Sequence, residues 1–260
     1  IWISQSGLEN MIRSQQTYAD GKDYLWTADV DVELPIFMND SGPSSAPPVT
    51  LTTWFISACL RHATRAALLE YNRKTQAWSS LTYADYLDTA YAVSRSLISL
   101  GVRSRSCVGI LSYNCAKWNL SFYGTVMSDC VPAGLYMSNS PETCHQVLLD
   151  CRAPLVFVED ADQLAKILKV WKDLPDLRHV VTYEKLDCEH ANVMSFEEFL
   201  ALGVSNAAQV QLEVESRIAG QKPGKCMVLV YTSGTTGVGK GTKLSHDACT
   251  TFVRYLQQFN

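Results

Sequence analysis

No block of five or six lysines or arginines occurs anywhere in the 260 residues, no two cysteines are spaced as CxxC, and no apolar run is long enough to span a bilayer. Each absence removes a class of function. With 22 basic against 26 acidic residues and a net charge of −4, there is no basic field to attract nucleic acid. The nine cysteines are an odd number scattered through apolar contexts, so they read as reduced, mostly buried thiols of a cytoplasmic compartment. Cys144-His145 and Cys188-Glu-His190 each lack a second ligand pair at zinc-site spacing, and no metal ligand is assigned. The stretch from Ser106 to Pro141 carries only Lys117 and Asp129 as charges, but these, with Gly, Ser and Asn throughout, cut it into segments too short to cross a membrane. It reads as buried core. The chain opens on Ile1 without a basic region followed by an apolar stretch, so secretion is not expected. No internal repeat is present.

What is there in quantity is apolar surface: 47% of residues are hydrophobic and 18% charged, enough to build a core of ordinary size. Residues 1–48 have weak periodicity and end in the turn-rich Asn39-Asp-Ser-Gly-Pro-Ser-Ser-Ala-Pro-Pro48, which reads as an extension and linker; a compact unit is expected over 49–260. Thr53 is positioned to cap a helix running toward His62. Thr82-Tyr-Ala-Asp85 has capping-box spacing, a 3.6-residue period follows through Leu97-Ile98, and Gly101 supplies the stop.

Beyond it, apolar strands are expected at 107–112, 130–135, 155–158 and 179–183, with helices at 116–127, from Pro141 and over 162–174. Ser195-Phe-Glu-Glu198 caps a short helix, and Met227-Val-Leu-Val-Tyr231 is read as the last strand, leading into a glycine-rich loop. Continuous apolar strands alternating with helices predict an α/β fold with a mostly parallel sheet flanked by helices on both faces.

The loop, Tyr231-Thr-Ser-Gly-Thr-Thr-Gly-Val-Gly-Lys-Gly241, contains what a polyphosphate needs: glycines that free backbone N–H groups, hydroxyl donors and a lysine. Leaving a buried strand, it is expected at the carboxyl edge of the sheet, where α/β proteins bind ligands. Gly234 to Lys240 comes close to the GxxxxGK[ST] string of P-loop NTPases. Gly241, however, stands where that string requires a magnesium-binding hydroxyl.

The same string closely resembles the phosphate-binding signature of the AMP-forming adenylating enzymes. Leu81-Thr-Tyr-Ala-Asp-Tyr, Leu100-Gly-Val, Val108-Gly-Ile-Leu, Lys117-Trp118 and Val131-Pro-Ala-Gly fall in the order and spacing of that superfamily's first subdomain. Leu25-Trp-Thr27, Gly134-Leu-Tyr-Met-Ser-Asn-Ser-Pro-Glu142, Gln163-Leu-Ala-Lys-Ile-Leu-Lys169 and Trp171-Lys-Asp-Leu-Pro look most like the bubblegum-type long-chain acyl-CoA synthetases.

The resemblance covers about residues 25 to 250 and implies the incomplete N-terminal portion of an adenylate-forming enzyme's large domain. It implies a fatty acid substrate, with ATP, Mg2+ and coenzyme A, and a cytoplasmic protein that can associate peripherally with intracellular membranes. Thr232, Ser233, Thr235 and Thr236 would donate hydroxyls to the β- and γ-phosphates, Gly234 and Gly237 would free backbone N–H groups, and Lys240 would supply a point charge. No catalytic residue is assigned, and the 260-residue chain alone is expected to be inactive. Two departures stand out: Gly239 where the family usually has proline, and Thr242-Lys243 where it usually has a hydrophobic pair. The alternatives are a truncated nucleotide- or partner-binding module without catalysis, and a P-loop NTPase.

Overall fold

A computed structural model describes residues 31–72, 75–232 and 239–257. The first α-helix among the described residues, α1 (Leu51–Arg61), is capped by Thr50, whose hydroxyl accepts the Thr53 N–H at 3.2 Å. Thr53, expected as the cap, is instead the buried donor one turn in. With threonines at 50, 52 and 53 the sequence offers three similar caps, and the one that leaves Phe55, Ile56 and Cys59 facing the core is selected.

An antiparallel hairpin follows, β1 (Ala66–Asn72) and β2 (Ala77–Thr82). It leads into α2 (Tyr83–Ser99), where the Thr82/Asp85 capping box is fully formed. Asp85 carries a lowered pKa because the Thr82 hydroxyl and backbone N–H both bond its carboxylate. Gly101, at φ +71°, turns the chain out of this helix in the left-handed region that glycine enters without a Cβ penalty.

Among the described residues the main sheet has seven strands: β3 (Cys107–Leu111), β4 (Val131–Leu135), β5 (Leu155–Val158), β6 (His179–Thr182), β7 (Val193–Ser195), β8 (Cys226–Thr232) and β9 (Lys240–Ser245). Their spatial order is β7-β6-β5-β3-β4-β8-β9. Every pairing is parallel except β8 with β9. Helices α3 (Ala116–Met127), α4 (Pro141–Asp150), α5 (Ala161–Val170), α6 (Phe196–Ser205) and α7 (Ala207–Gly220) connect the strands, and α8 (His246–Gln257) follows β9.

Successive side chains of a strand point to opposite faces, and both faces here are apolar. Val108 and Ile110 of β3 and Leu155 and Phe157 of β5 pack with α2, α3, α6 and α7. Leu111, Val156 and Val158 pack on the other face with α4 and α5, through Cys144, Val147, Leu148, Leu164 and Ile167. This two-sided cover is why the strands read as continuous hydrophobic runs.

The strand from Met227 is not the last: β9 pairs antiparallel along β8, from Cys226↔Ser245 to Thr232↔Lys240. The helix expected over 162–174 ends at Val170, and Trp171–Asp173 tighten into a 3-10 turn just ahead of Pro175. Within 106–141 the chain forms two short strands and one 12-residue helix. No helix among the described residues is long and apolar enough to cross a membrane.

Candidate functional site

β3 connects through α3 to β4 on one side, and β4 connects through α4 to β5 on the other. Because α3 and α4 cover opposite faces, the chain leaves β3 and β4 toward opposite sides of the sheet, the topological switch at which open α/β sheets form a ligand crevice at their carboxyl edge. Val230 of β8 pairs with Gly134 of β4, so both strands end at the same level beside that crevice. The glycine-rich loop therefore leaves the sheet where ligands of open α/β folds bind.

Two of the expected phosphate ligands are described. Thr232 ends β8, Lys240 begins β9, and the two are directly paired across the hairpin mouth, so their side chains share one face. Both are exposed. Ser233, Gly234, Thr235, Thr236 and Gly237 lie outside the described residues.

The pair beneath the mouth is Tyr231↔Gly241. Tyr231 is buried, and its hydroxyl donates to Asp150 Oδ2 at 2.6 Å. A Cβ on residue 241 would lie 3.1 Å from Tyr231 Cζ, so any larger residue there would press on this ring and make it give by a few tenths of an ångström. At Gly239 a Cβ would meet only ordinary contacts, Thr232 O at 3.6 Å and Tyr231 Cδ1 at 3.8 Å.

This geometry removes the P-loop alternative. In that motif the lysine and the following hydroxyl residue open a helix whose N-terminus faces the phosphates. Here Lys240 and Gly241 open an antiparallel strand.

The edge around the crevice is braced by Glu159, which carries no motif signal, and by Lys117 of the Lys117-Trp118 motif. Glu159, just past β5, accepts the Ser112 hydroxyl at 3.0 Å and the Tyr113 N–H at 2.6 Å, holding the turn that leaves β3. Lys117 donates to the Tyr183 carbonyl and pairs with Glu197 at 2.8 Å, which holds that carboxyl below its usual range. The Lys117-Trp118 motif is thus occupied in joining α3 to the end of β6 and to α6.

His246, just beyond β9, is 2% exposed and accepts the Leu51 N–H on Nδ1 at 3.1 Å. Burial lowers its pKa from 6.5 to about 3, with Arg105 adding to the effect. The residues suggested by Cys-His proximity have structural partners: His190 stacks on Trp171 at 4.3 Å, His145 Nε2 lies 3.2 Å from the Asp173 carbonyl, and Cys144 is buried in α4.

The doubly wound sheet, with the Thr/Ser/Gly-rich segment joining β8 to an antiparallel β9, defines the class of the chain as an open α/β unit. Residues 55–260 match the AMP-binding enzyme family, and the chain belongs to it. It is 35% identical over 227 residues to the long-chain-fatty-acid–CoA ligase ACSBG2 of Xenopus laevis, covering 87% of this chain and 30% of that protein. It is 36% identical over 235 residues to ACSBG1 of Homo sapiens, covering 90% and 32%.

The chain thus spans about a third of the length of the curated relatives it matches. Among solved structures, the anthranilate CoA ligase AuaEII in complex with anthranoyl-AMP superposes with a TM-score of 0.63 at 24% identity, covering 80% of this chain and 37% of that one. A putative long-chain-fatty-acid CoA ligase from Rhodopseudomonas palustris gives 0.59 at 16% identity, covering 76% and 45%. At these identities the likeness is one of fold.

Proposed function

We propose that the protein containing this chain is an ATP-dependent, AMP-forming long-chain acyl-CoA synthetase, and that this chain supplies the loop that holds the β- and γ-phosphates. The observation that carries the reading is the Thr232–Lys240 pair, a hydroxyl and an ammonium on one face of a hairpin mouth beside the crevice of a parallel sheet. The relatives named as long-chain-fatty-acid–CoA ligases support the substrate class.

In such a reaction the fatty carboxylate attacks the α-phosphorus of ATP and pyrophosphate leaves; the coenzyme A thiol then takes the acyl group from AMP. What this chain contributes is placement and charge. Lys240 meets the negative charge that builds on the departing pyrophosphate, and the hydroxyls of Thr232, Ser233, Thr235 and Thr236 with the backbone N–H groups at Gly234 and Gly237 fix its orientation. Mg2+ would accompany ATP and share in neutralising the phosphates; no residue of this chain is assigned to it. The fatty substrate favours a cytoplasmic protein that meets intracellular membranes at their surface.

The test is product identity. The full-length protein supplied with ATP, coenzyme A and a long-chain fatty acid should release AMP and pyrophosphate. ADP and phosphate as the main products would reject the reading.

A further inference from the structure

Asp150 lies at the end of α4, far in sequence from the glycine-rich loop, and is absent from every motif that marks the site. Its carboxylate nevertheless accepts the Tyr231 hydroxyl at 2.6 Å. Tyr231 in turn occupies the last buried position of β8, with its ring against Gly241 of β9. One side chain therefore touches both strands of the hairpin at the pair directly beneath Thr232↔Lys240. Burial, first, and the neighbouring Asp150 carboxylate, second, push the phenol pKa far above 10, so the hydroxyl stays a neutral donor throughout the working pH range.

We propose that Asp150, acting through Tyr231, is a positioning residue for the phosphate loop: the Asp150–Tyr231 hydrogen bond ties the hairpin mouth to α4 and fixes where Thr232 and Lys240 stand relative to the crevice. The proposal rests on the reading of this loop as the ATP phosphate site. Physically, the tie fixes a lever. The aromatic ring packs against the sheet, but packing alone is non-directional, and the phenol could slide along α4. A short hydrogen bond to a carboxylate is directional and roughly twice as strong as a neutral one, so it selects one position of the strand end. A ligand group displaced by about 1 Å can lose on the order of a hundredfold in rate, so the tie matters to a phosphate contact several ångströms above it.

The experiment uses the full-length protein and four variants: Asp150→Ala, Asp150→Asn, Tyr231→Phe and the Asp150→Ala/Tyr231→Phe double. Adenylation is followed by pyrophosphate release with varied ATP, and thioester formation is followed separately from supplied acyl-adenylate. Asp150→Ala and Tyr231→Phe should each lower adenylation kcat/KM for ATP by about 10- to 150-fold, the loss of one charge-assisted hydrogen bond. The double variant should be no worse than either single one, because both remove the same bond. Asp150→Asn keeps an acceptor oxygen and should stay within about 3-fold of the parent.

Thioester formation from acyl-adenylate should be unchanged in all four. Losses that multiply in the double variant, or equal loss in both half-reactions with a lowered melting temperature, would overturn the proposal and leave Asp150 a residue of general stability. Lys240→Ala, measured alongside, separates the two levels. If it lowers adenylation while Asp150→Ala does not, the positioning role alone is wrong; if it leaves adenylation intact, the reading of the loop falls and the proposal with it.

Discussion

His246 and Leu51 are joined by one hydrogen bond, the Leu51 N–H donating to Nδ1 at 3.1 Å, and through it the start of α8 is held to the start of α1. The acceptor nitrogen must be unprotonated. The folded protein keeps it so down to about pH 3, whereas the unfolded chain takes up the proton near pH 6.5. Stability from this residue is therefore complete above pH 6.5 and is lost as pH falls below it. At one proton per molecule the loss amounts to about 2 kcal/mol between pH 6.5 and about 5. Chemical denaturation of the chain should show this decline, and His246→Asn should reduce the slope by about one proton while lowering stability at pH 7.5. A variant with the parent's slope would show that His246 is not the titrating group.

The thiols offer a second check. Burial pushes Cys59 up to about 12 and Cys130 and Cys144 up to about 11, so the thiolate fraction at pH 7.5 is negligible for each. Native-state alkylation followed by peptide mass mapping should leave these three unmodified until the chain is unfolded. Rapid labelling of Cys59 or Cys130 under native conditions would contradict the core described above.

Gly241 distinguishes the two phosphate-loop readings by substitution. Gly241→Ser in the full-length protein completes the GxxxxGK[ST] string, and a P-loop enzyme would gain from it. In the strand–loop–strand arrangement the new Cβ instead meets the Tyr231 ring at 3.1 Å, tighter than ordinary contact. Such overpacking costs about 1–3 kcal/mol. The variant should show a lowered melting temperature, weaker adenylation and no ADP. Improved turnover with ADP as product would point back to the P-loop.

Gly239 should respond in the opposite sense. The site has room for a Cβ, and the backbone there is outside the left-handed region that would demand glycine. Gly239→Ala narrows the unfolded ensemble and should stabilise the protein by about 0.4–1 kcal/mol, with an unchanged or lower KM for ATP. Destabilisation on thermal melting would mean that glycine is required at this position.

The parts of the fold legible in the sequence are those where local chemistry and tertiary packing agree. Thr82 with Asp85 and Ser195 with Glu198 spell capping boxes that form as written. The strands at 107–111 and 155–158 are apolar on both faces because both faces are covered. The parts that escaped depend on long-range pairing. β2, Ala-Trp-Ser-Ser-Leu-Thr, is mostly exposed and has no apolar alternation; it exists because β1 pairs with it, and a shift in register at Ala66/Leu68 breaks the period of β1 as well. β9 begins Lys-Gly-Thr-Lys, a poor strand by composition, and is held by its ladder to β8.

α7 carries Val210, Val214 and Ile218 at helical spacing, so its apolar stripe is present in the sequence itself. At the candidate site, the motif names Thr232 and Lys240, and the structure pairs them across the hairpin. Asp150, Glu159 and His246 carry no such signal, because their partners lie 46 to 195 residues away and a single sequence carries no trace of such pairs.

The central claim, that the glycine-rich loop holds the departing pyrophosphate, is tested most directly at Lys240, the one cation between Tyr231 and Thr242. The measurement is the rate of each half-reaction for Lys240→Ala in the full-length protein. A charge-assisted contact is worth about 1.5–3 kcal/mol, so adenylation should fall roughly 10- to 150-fold. Thioester formation from supplied acyl-adenylate should be unaffected, since pyrophosphate has already left. The exposed position of Lys240 leaves the melting temperature close to the parent's. Equal loss in both half-reactions, or a large fall in melting temperature accompanying the lost activity, would contradict the account and make Lys240 a structural residue.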